Sequence, residues 1–104
     1  MKRIRFSDLA RDDLDEIWLS IASDNLDAAD RFVDRLDELL RKLLDFPGMG
    51  VQREDIHPGV QSFPYGRNYL VFYRSMPYGI AVLRIVHGGR DLQTLDYPSL
   101  PERG

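Results

Sequence analysis

At Pro47-Gly48 the hydrophobic period of this chain changes, and that change constrains the fold more than any other feature. Before it, apolar residues recur with helical spacing; after it, they alternate or run together as in strands. Leu14, Ile17, Trp18 and Ile21 stand at i, i+3, i+4 and i+7, one stripe of an amphipathic helix. Ser7 is its expected N-cap, and Asp8 sits where a carboxylate complements the helix dipole. "ASDNLD" interrupts the stripe. Asn25 or Asp27 then caps a second helix, whose stripe is Ala29, Phe32, Val33, Leu36, Leu39, Leu40 and Leu43. Proline and glycine force its end soon after Phe46. So short a connection makes the two helices an antiparallel hairpin, with Leu14 and Trp18 expected against Phe32, Leu36 and Leu40.

Beyond "PGMG" the segments "VQSFP", "NYLVFYRS" and "GIAVLRIVH" are rich in β-branched and aromatic residues and are separated by the turns "YGR" and "MPY". Connections this short require antiparallel pairing. Near the start, "KRIRF" alternates, which makes Lys2 to Phe6 a candidate edge strand. The fold class expected is therefore α+β: an N-terminal antiparallel two-helix hairpin packed on a small, mostly antiparallel β-sheet. Residues 92–104, with Pro98 and Pro101, read as a weakly structured tail. No repeat or linker divides residues 1–104, so one domain is expected, large enough to bury roughly two-thirds of its unfolded surface.

The strands carry a second message. Simple alternation puts Ala81, Leu83 and Ile85 on one face of the last strand, and Ile80, Val82 and Val86 on the other, with Arg84 between them. In the strand before it, Tyr69, Val71 and Tyr73 oppose Leu70 and Phe72. A sheet with one wet face alternates apolar and polar, and these strands are apolar on both. Two helices cover one face. The other must be covered by the tail or by another molecule, and the tail's few apolar residues favour a partner. Leu70 and Val82 are assigned to that open face.

Composition removes several classes of function. There is no cysteine, hence no disulfide and no thiolate metal site. His57 and His87 lie far apart without metal-ligand spacing, and no phosphate loop, dinucleotide fingerprint or serine elbow is present. No metal or cofactor is therefore expected. No apolar run approaches the roughly 18 residues of a membrane span, so a cytoplasmic protein is expected. The net charge of −3 hides an asymmetry: residues 1–46 hold 8 Lys or Arg against 12 Asp or Glu, and residues 51–97 hold 5 Arg against 4 acids, with no lysine. A protein living on phosphate-backbone contacts carries a stronger basic footprint, so direct nucleic-acid binding is not expected. Asp12, Asp13, Asp15 and Glu16 lie opposite the apolar stripe of the first helix and read as a solvated face.

"RIVHGGRDLQTL", residues 84–95, closes the last strand with His87, Arg90 and Asp91 around two glycines. Metal-free RNA cleavage needs a base, cations at the developing phosphorane and an acid. His87, Arg90 and Tyr97 can be cast in those parts, with Arg67 or Arg74 adding charge. The simpler alternative is a strand-end histidine bonded to backbone and a local Arg90–Asp91 pair, of a kind worth only ~0–1 kcal/mol. As candidates for binding a target or partner, the sequence offers Arg67, Leu70, Arg74, Val82, Arg84, His87, Arg90 and Asp91.

In the order and spacing of "DLDEIW", "FPGMG", "YLVFYR" and "HGGRD", the chain from about Arg5 to Leu92 resembles the RelE/ParE toxin superfamily, and within it the ParE branch. The resemblance implies the toxin of a bacterial type II toxin–antitoxin system, neutralised by a small ParD-like antitoxin that folds onto it. ParE-type toxins act on DNA gyrase, whereas RelE-type relatives cleave ribosome-bound mRNA with a set of basic residues and a C-terminal Tyr or His. Here that basic set is thin and Tyr97 lies in a proline-flanked tail, a departure that favours the ParE branch. No catalytic residue is carried over. The alternatives are a RelE-like ribosome-dependent mRNA endonuclease and a non-toxic antitoxin-binding relative.

Overall fold

The computed structural model describes residues 1–89 and 92–98. The chain runs β1 (Arg3–Phe6), α1 (Asp8–Ala22), α2 (Leu26–Asp45), a 3₁₀ turn (Pro47–Met49), β2 (Val51–Gln52), β3 (Gln61–Tyr65), β4 (Tyr69–Met76) and β5 (Gly79–His87). The five strands form one sheet in the order β1-β5-β4-β3-β2. All neighbours are antiparallel except β1 with β5, which the helical crossover makes parallel. The expected α+β architecture is what the chain adopts.

Local chemistry sets the helix ends as expected. The Ser7 side chain accepts from the Ala10 amide at 3.0 Å, and Asn25, not Asp27, caps α2 by accepting from Ala28 at 3.0 Å. The "FPGMG" segment then finds its reason in β4. The Tyr73 hydroxyl donates to the Pro47 carbonyl at 2.6 Å and accepts from the Gly50 amide at 2.9 Å. A Cβ at Gly50 would collide with the Tyr73 hydroxyl and ring, so only glycine fits beneath that tyrosine. Two sequence motifs far apart in the chain are thus one contact.

In α1 the buried face differs from the expected one. Ala10 and Asp13 are buried, Leu14 and Ile17 pack on the core, and Trp18 is only half-buried at its margin. The spacing i, i+3, i+4, i+7 is intact but begins at Ala10, not Leu14. The polar Asp13 interrupts the apolar pattern, which hides in the sequence that the buried face reaches back to Ala10. Leu36, Leu40 and Leu43 of α2 complete the layer with Val71, Tyr73, Ile80, Val82 and Ile85 from the sheet.

The opposite face carries a second apolar cluster: Val60, Phe72, Met76, Ala81, Leu83 and Val86. Ile56, Leu92, Leu95 and Tyr97 pack over it. The face expected to await a partner is therefore largely covered by this chain's own β2–β3 loop and tail. Tyr97 stands edge-on to Phe72, with ring centroids 5.3 Å apart. The loop and tail are themselves tied: Asp55 accepts from Gln93 at 2.9 Å and from both forks of Arg53 at 3.0 and 2.9 Å. The Arg53 hydrogen bonds hold the Asp55 carboxyl down at about 2. Residues 92–98 are thus a strap over the sheet with little regular structure of its own.

Simple alternation fails in β5. Phe72 pairs with Arg84, yet Tyr73 pairs with Val82, so Leu83 is an extra residue and the strand carries a bulge. The bulge reverses the facing of everything beyond it. Ile80, Val82 and Ile85 face the helices, while Ala81, Leu83 and Val86 face the tail. Val82, assigned from its parity to an open face, is fully buried beneath the helices.

Tyr65 offers a test of the helix-side core. Its hydroxyl donates to the Phe32 carbonyl, and burial pushes its pKa up from 10.0 to about 12. A folded value above the unfolded one gives stability that is whole below about pH 10 and is lost as pH climbs toward about 12. Tyr65→Phe should therefore lower stability at pH 7 by about 1 kcal/mol through the lost hydrogen bond. It should also shrink the alkaline loss, as read from denaturation midpoints across that window. An unchanged alkaline profile would place the Tyr65 hydroxyl in water.

Candidate functional site

Arg84, proposed as a binding residue on sequence grounds, is a structural one. Its Nε and Nη2 donate to Asp13 at 2.8 Å each, with side-chain exposures of only 9% and 10% for the pair. Asp13 also accepts from the Ile85 amide at 3.0 Å, and Arg84 Nη1 donates to the Asp96 carbonyl at 2.9 Å. The Asp13 hydrogen bonds raise the Arg84 pKa further above its ordinary value. The ion pair lies just beyond the bulge, where β5 has lost its outer neighbour. β1 accompanies β5 only as far as Val82, and beyond it the edge of β5 needs other partners. Ser7 Oγ donates to the Leu83 carbonyl at 2.8 Å, and Asp13 takes the Ile85 amide. The start of α1 thus replaces the missing strand. Asp13, expected to be solvated from its place opposite the apolar stripe, is instead the one buried carboxylate among the described residues.

His87 ends β5 on the helix side. Its register partner is Tyr69, and the two rings meet edge-on at 5.7 Å. Tyr69 in turn stands edge-on to Phe32 at 5.5 Å. The Gly89 amide donates to His87 Nδ1 at 3.2 Å, so the strand-end histidine is held by local backbone. Arg67 is exposed in the β3–β4 turn at the same end of the sheet. Arg90 and Asp91 lie outside the described residues.

Arg74 lies on the other face, with Leu70, which is half-buried under the tail. Arg74 lines a cavity of about 210 Å³ together with His57, Tyr97, Ile56, Val60, Leu83 and Pro98. The Tyr97 hydroxyl donates to the Leu92 carbonyl at 2.9 Å, and His57 Nδ1 lies 3.1 Å from the Pro58 carbonyl. Of the nucleolytic set, His87 lies on the helix side of the sheet, whereas Arg74 and Tyr97 lie on the opposite side, so the structure does not bring these together. His57, considered in the sequence only as a metal ligand, is the histidine beside Arg74 and Tyr97. Nothing local announces that meeting, because the β2–β3 loop must fold over the sheet to bring it about.

Among the described residues, no three of His, Asp and Glu come together as a metal site would require, and no helix is long and apolar enough to cross a membrane. The molecule presents an exposed strand end with His87 and Arg67, a cavity lined by Arg74 under the tail, and an acidic helix hairpin.

Comparison with known proteins gives this surface its setting. The family described as "ParE toxin of type II toxin-antitoxin system, parDE" matches residues 4–92. Toxin ParE3 of Caulobacter vibrioides is 28% identical over 81 residues, covering 77% of this chain and 80% of that protein. In the solved structure titled "Chromosomal ParDE TA system from P. aeruginosa", a chain shares the fold with a TM-score of 0.68 at 24% identity, covering 84% of this chain and 96% of that one. The matched span runs from the edge strand through both helices and the bulged strand to the first residue of the strap, and over that span the chain belongs to the ParE toxin family of type II toxin–antitoxin systems.

Proposed function

We propose that this protein is a bacterial cytoplasmic toxin that inhibits DNA gyrase and is held inactive by a cognate ParD-like antitoxin. The observation that carries the reading is the family match over residues 4–92, which takes in both helices and all five strands. Charge supports a protein target over a nucleic acid: the chain carries −3 overall, and its sheet half has near-balanced charge with no lysine. A poison of this kind works by complementary surface, so no residue need shuttle a proton. Arg67, Leu70, Arg74, His87, Arg90 and Asp91 stay as contact candidates for the target or the antitoxin. Arg84 and Val82 leave that set because both are buried and engaged within the fold. The antitoxin's basic side chains would meet the acidic helix hairpin, where attraction speeds association.

One observation favours the second reading, a ribosome-dependent mRNA endonuclease: the cavity that brings His57, Arg74 and Tyr97 together. The experiment compares purified protein in gyrase supercoiling and ribosomal mRNA cleavage assays, alongside growth of cells expressing it with and without the adjacent antitoxin gene. We expect gyrase inhibition, growth arrest and rescue by the antitoxin. Tyr97→Phe, His57→Gln and His87→Gln should each keep the arrest within about threefold, since none removes a general acid or base that the reaction needs. Cleavage of mRNA that is abolished by Tyr97→Phe or by either histidine change would establish the nuclease instead.

A further inference from the structure

Of the arginines near the strap, two are paired within the fold. Arg53 donates to Asp55 at 3.0 and 2.9 Å, and Arg84 donates to Asp13 at 2.8 Å from each of two nitrogens. Arg74 differs. It is half-buried, and its guanidinium makes no hydrogen bond or ion pair with any described residue. It lines the cavity of about 210 Å³ between the β2–β3 loop, the sheet and the strap. Ile56, Val60, Leu83 and Pro98 make that cavity largely apolar, and His57 and Tyr97 complete its polar part. The loop that walls it is held by its own backbone. The Ile56 and His57 amides donate to the Arg53 carbonyl at 2.9 and 3.2 Å, and the Arg53 amide donates to the Val60 carbonyl at 2.8 Å. Gly59, at φ +85°, then brings the loop over Arg74. A Cβ there would stand 3.6, 3.8 and 3.9 Å from Nη2, Nε and Cζ of Arg74, so bare backbone covers one side of the guanidinium.

A guanidinium held half out of water without an acceptor leaves its donors poorly satisfied, and an anion that reaches it gains a charge-assisted bond. We propose that this cavity binds a single carboxylate carried on a short apolar body. The carboxylate takes the N–H fork of Arg74 as a bidentate pair, and the apolar body lies against Ile56, Val60, Leu83 and Pro98. Charge and lining choose this ligand together. Among the lining residues Arg74 is the one fixed cation. His57 Nδ1 lies 3.1 Å from the Pro58 carbonyl, which can only accept, so the ring's other nitrogen has a proton to donate only in the charged imidazolium. One fixed charge suits a monoanion, whereas a phosphate dianion calls for more donors than the cavity holds, and the apolar walls would leave its outer oxygens unmatched. Two sources carry the group required: a free short-chain acid, and the glutamate side chain of a protein partner. The inference goes beyond the toxin reading and does not depend on it.

The test is an NMR titration of the full wild-type chain with isovalerate, its neutral amide isovaleramide, inorganic phosphate, and two capped tripeptides with a central glutamate or glutamine. Isovalerate should give saturable shifts at the Arg74 Nε–H and at the Gly59 and Val60 amides. Isovaleramide should bind about tenfold more weakly, since it cannot form the charge-assisted pair. Arg74→Gln should weaken isovalerate by a similar factor, with its melting temperature measured alongside. Binding of the glutamate peptide, and not of the glutamine one, would identify a protein side chain as the source, and binding of isovalerate alone a free acid. Inorganic phosphate binding more tightly than isovalerate would overturn the inference and assign the cavity to the nuclease reading. Equal binding of isovalerate and its amide, shifts confined to residues away from the cavity, or no saturable shift with either carboxylate would overturn it too. All of these use wild-type protein, so they stand even if Arg74→Gln fails to fold. No arm contains gyrase or an antitoxin, so failure here sinks the cavity's ligand alone, whereas failure of the antitoxin to rescue growth sinks the toxin–antitoxin reading.

Discussion

Replacing Arg84 with methionine should destabilise the protein by about 3–5 kcal/mol, because it strands the Asp13 carboxylate in the interior with only the Ile85 amide as partner. Asp13→Leu should cost a similar amount by leaving the buried guanidinium to the Asp96 carbonyl alone. The double variant Asp13→Leu/Arg84→Met should recover most of the loss, since a well-packed apolar pair of similar volume is often as stable as a buried ion pair. Recovery will be incomplete, for the Ile85 amide keeps no acceptor once Asp13 is gone. Urea denaturation of the three variants closes the cycle. A single variant that loses less than about 1 kcal/mol would mean that the pair is solvated, and the account of how α1 caps the bulged strand would fail with it.

A chain ending at Asp91 should lose about 2–4 kcal/mol, roughly what half-burial of Leu92, Leu95 and Tyr97 contributes. Its more telling change is in surface. Phe72, Leu83 and Val86 would lie open to water on a face the helices do not reach, and exposed apolar patches of that kind bind dyes and promote association. We expect a marked rise in fluorescence of a hydrophobic dye and self-association in sedimentation. Should the truncated chain not fold, Leu92→Ser/Leu95→Ser in the full chain makes the same test more gently. An unchanged midpoint with no dye binding would show that the strap is not what covers the sheet. The experiment also decides how an antitoxin can use this face: a segment that docks there must displace the strap or lie along its outer side.

The sequence alone determined both helices and the strands β1, β3, β4 and β5, though not the two-residue β2. The change of period at Pro47-Gly48 separated helices from strands, Ser7 marked the start of α1, and short turns set the antiparallel pairing of β3, β4 and β5. It also carried the family, since the order of "DLDEIW", "FPGMG", "YLVFYR" and "HGGRD" is a property of the chain itself. These features are local, fixed by residues within a few positions of one another. What needed the tertiary structure was the facing of β5 and the full extent of the buried face of α1, whereas the stripe of α2 and the two faces of β4 follow from period alone. One extra residue at Leu83 reverses the side to which all later residues of β5 point, and nothing in the run "GIAVLRIVH" marks where the reversal falls. Val82 and Val86 share a parity, but the bulge lies between them, so they point to opposite faces. Asp13 is hidden in a similar way: a carboxylate breaks an apolar stripe unless its cation is known, and that cation stands 71 residues away at Arg84. The strap and the cavity joining His57 to Tyr97 are likewise meetings of distant segments. Period and propensity describe how a segment folds, and only the packing of segments against one another decides which of its sides is left for a partner.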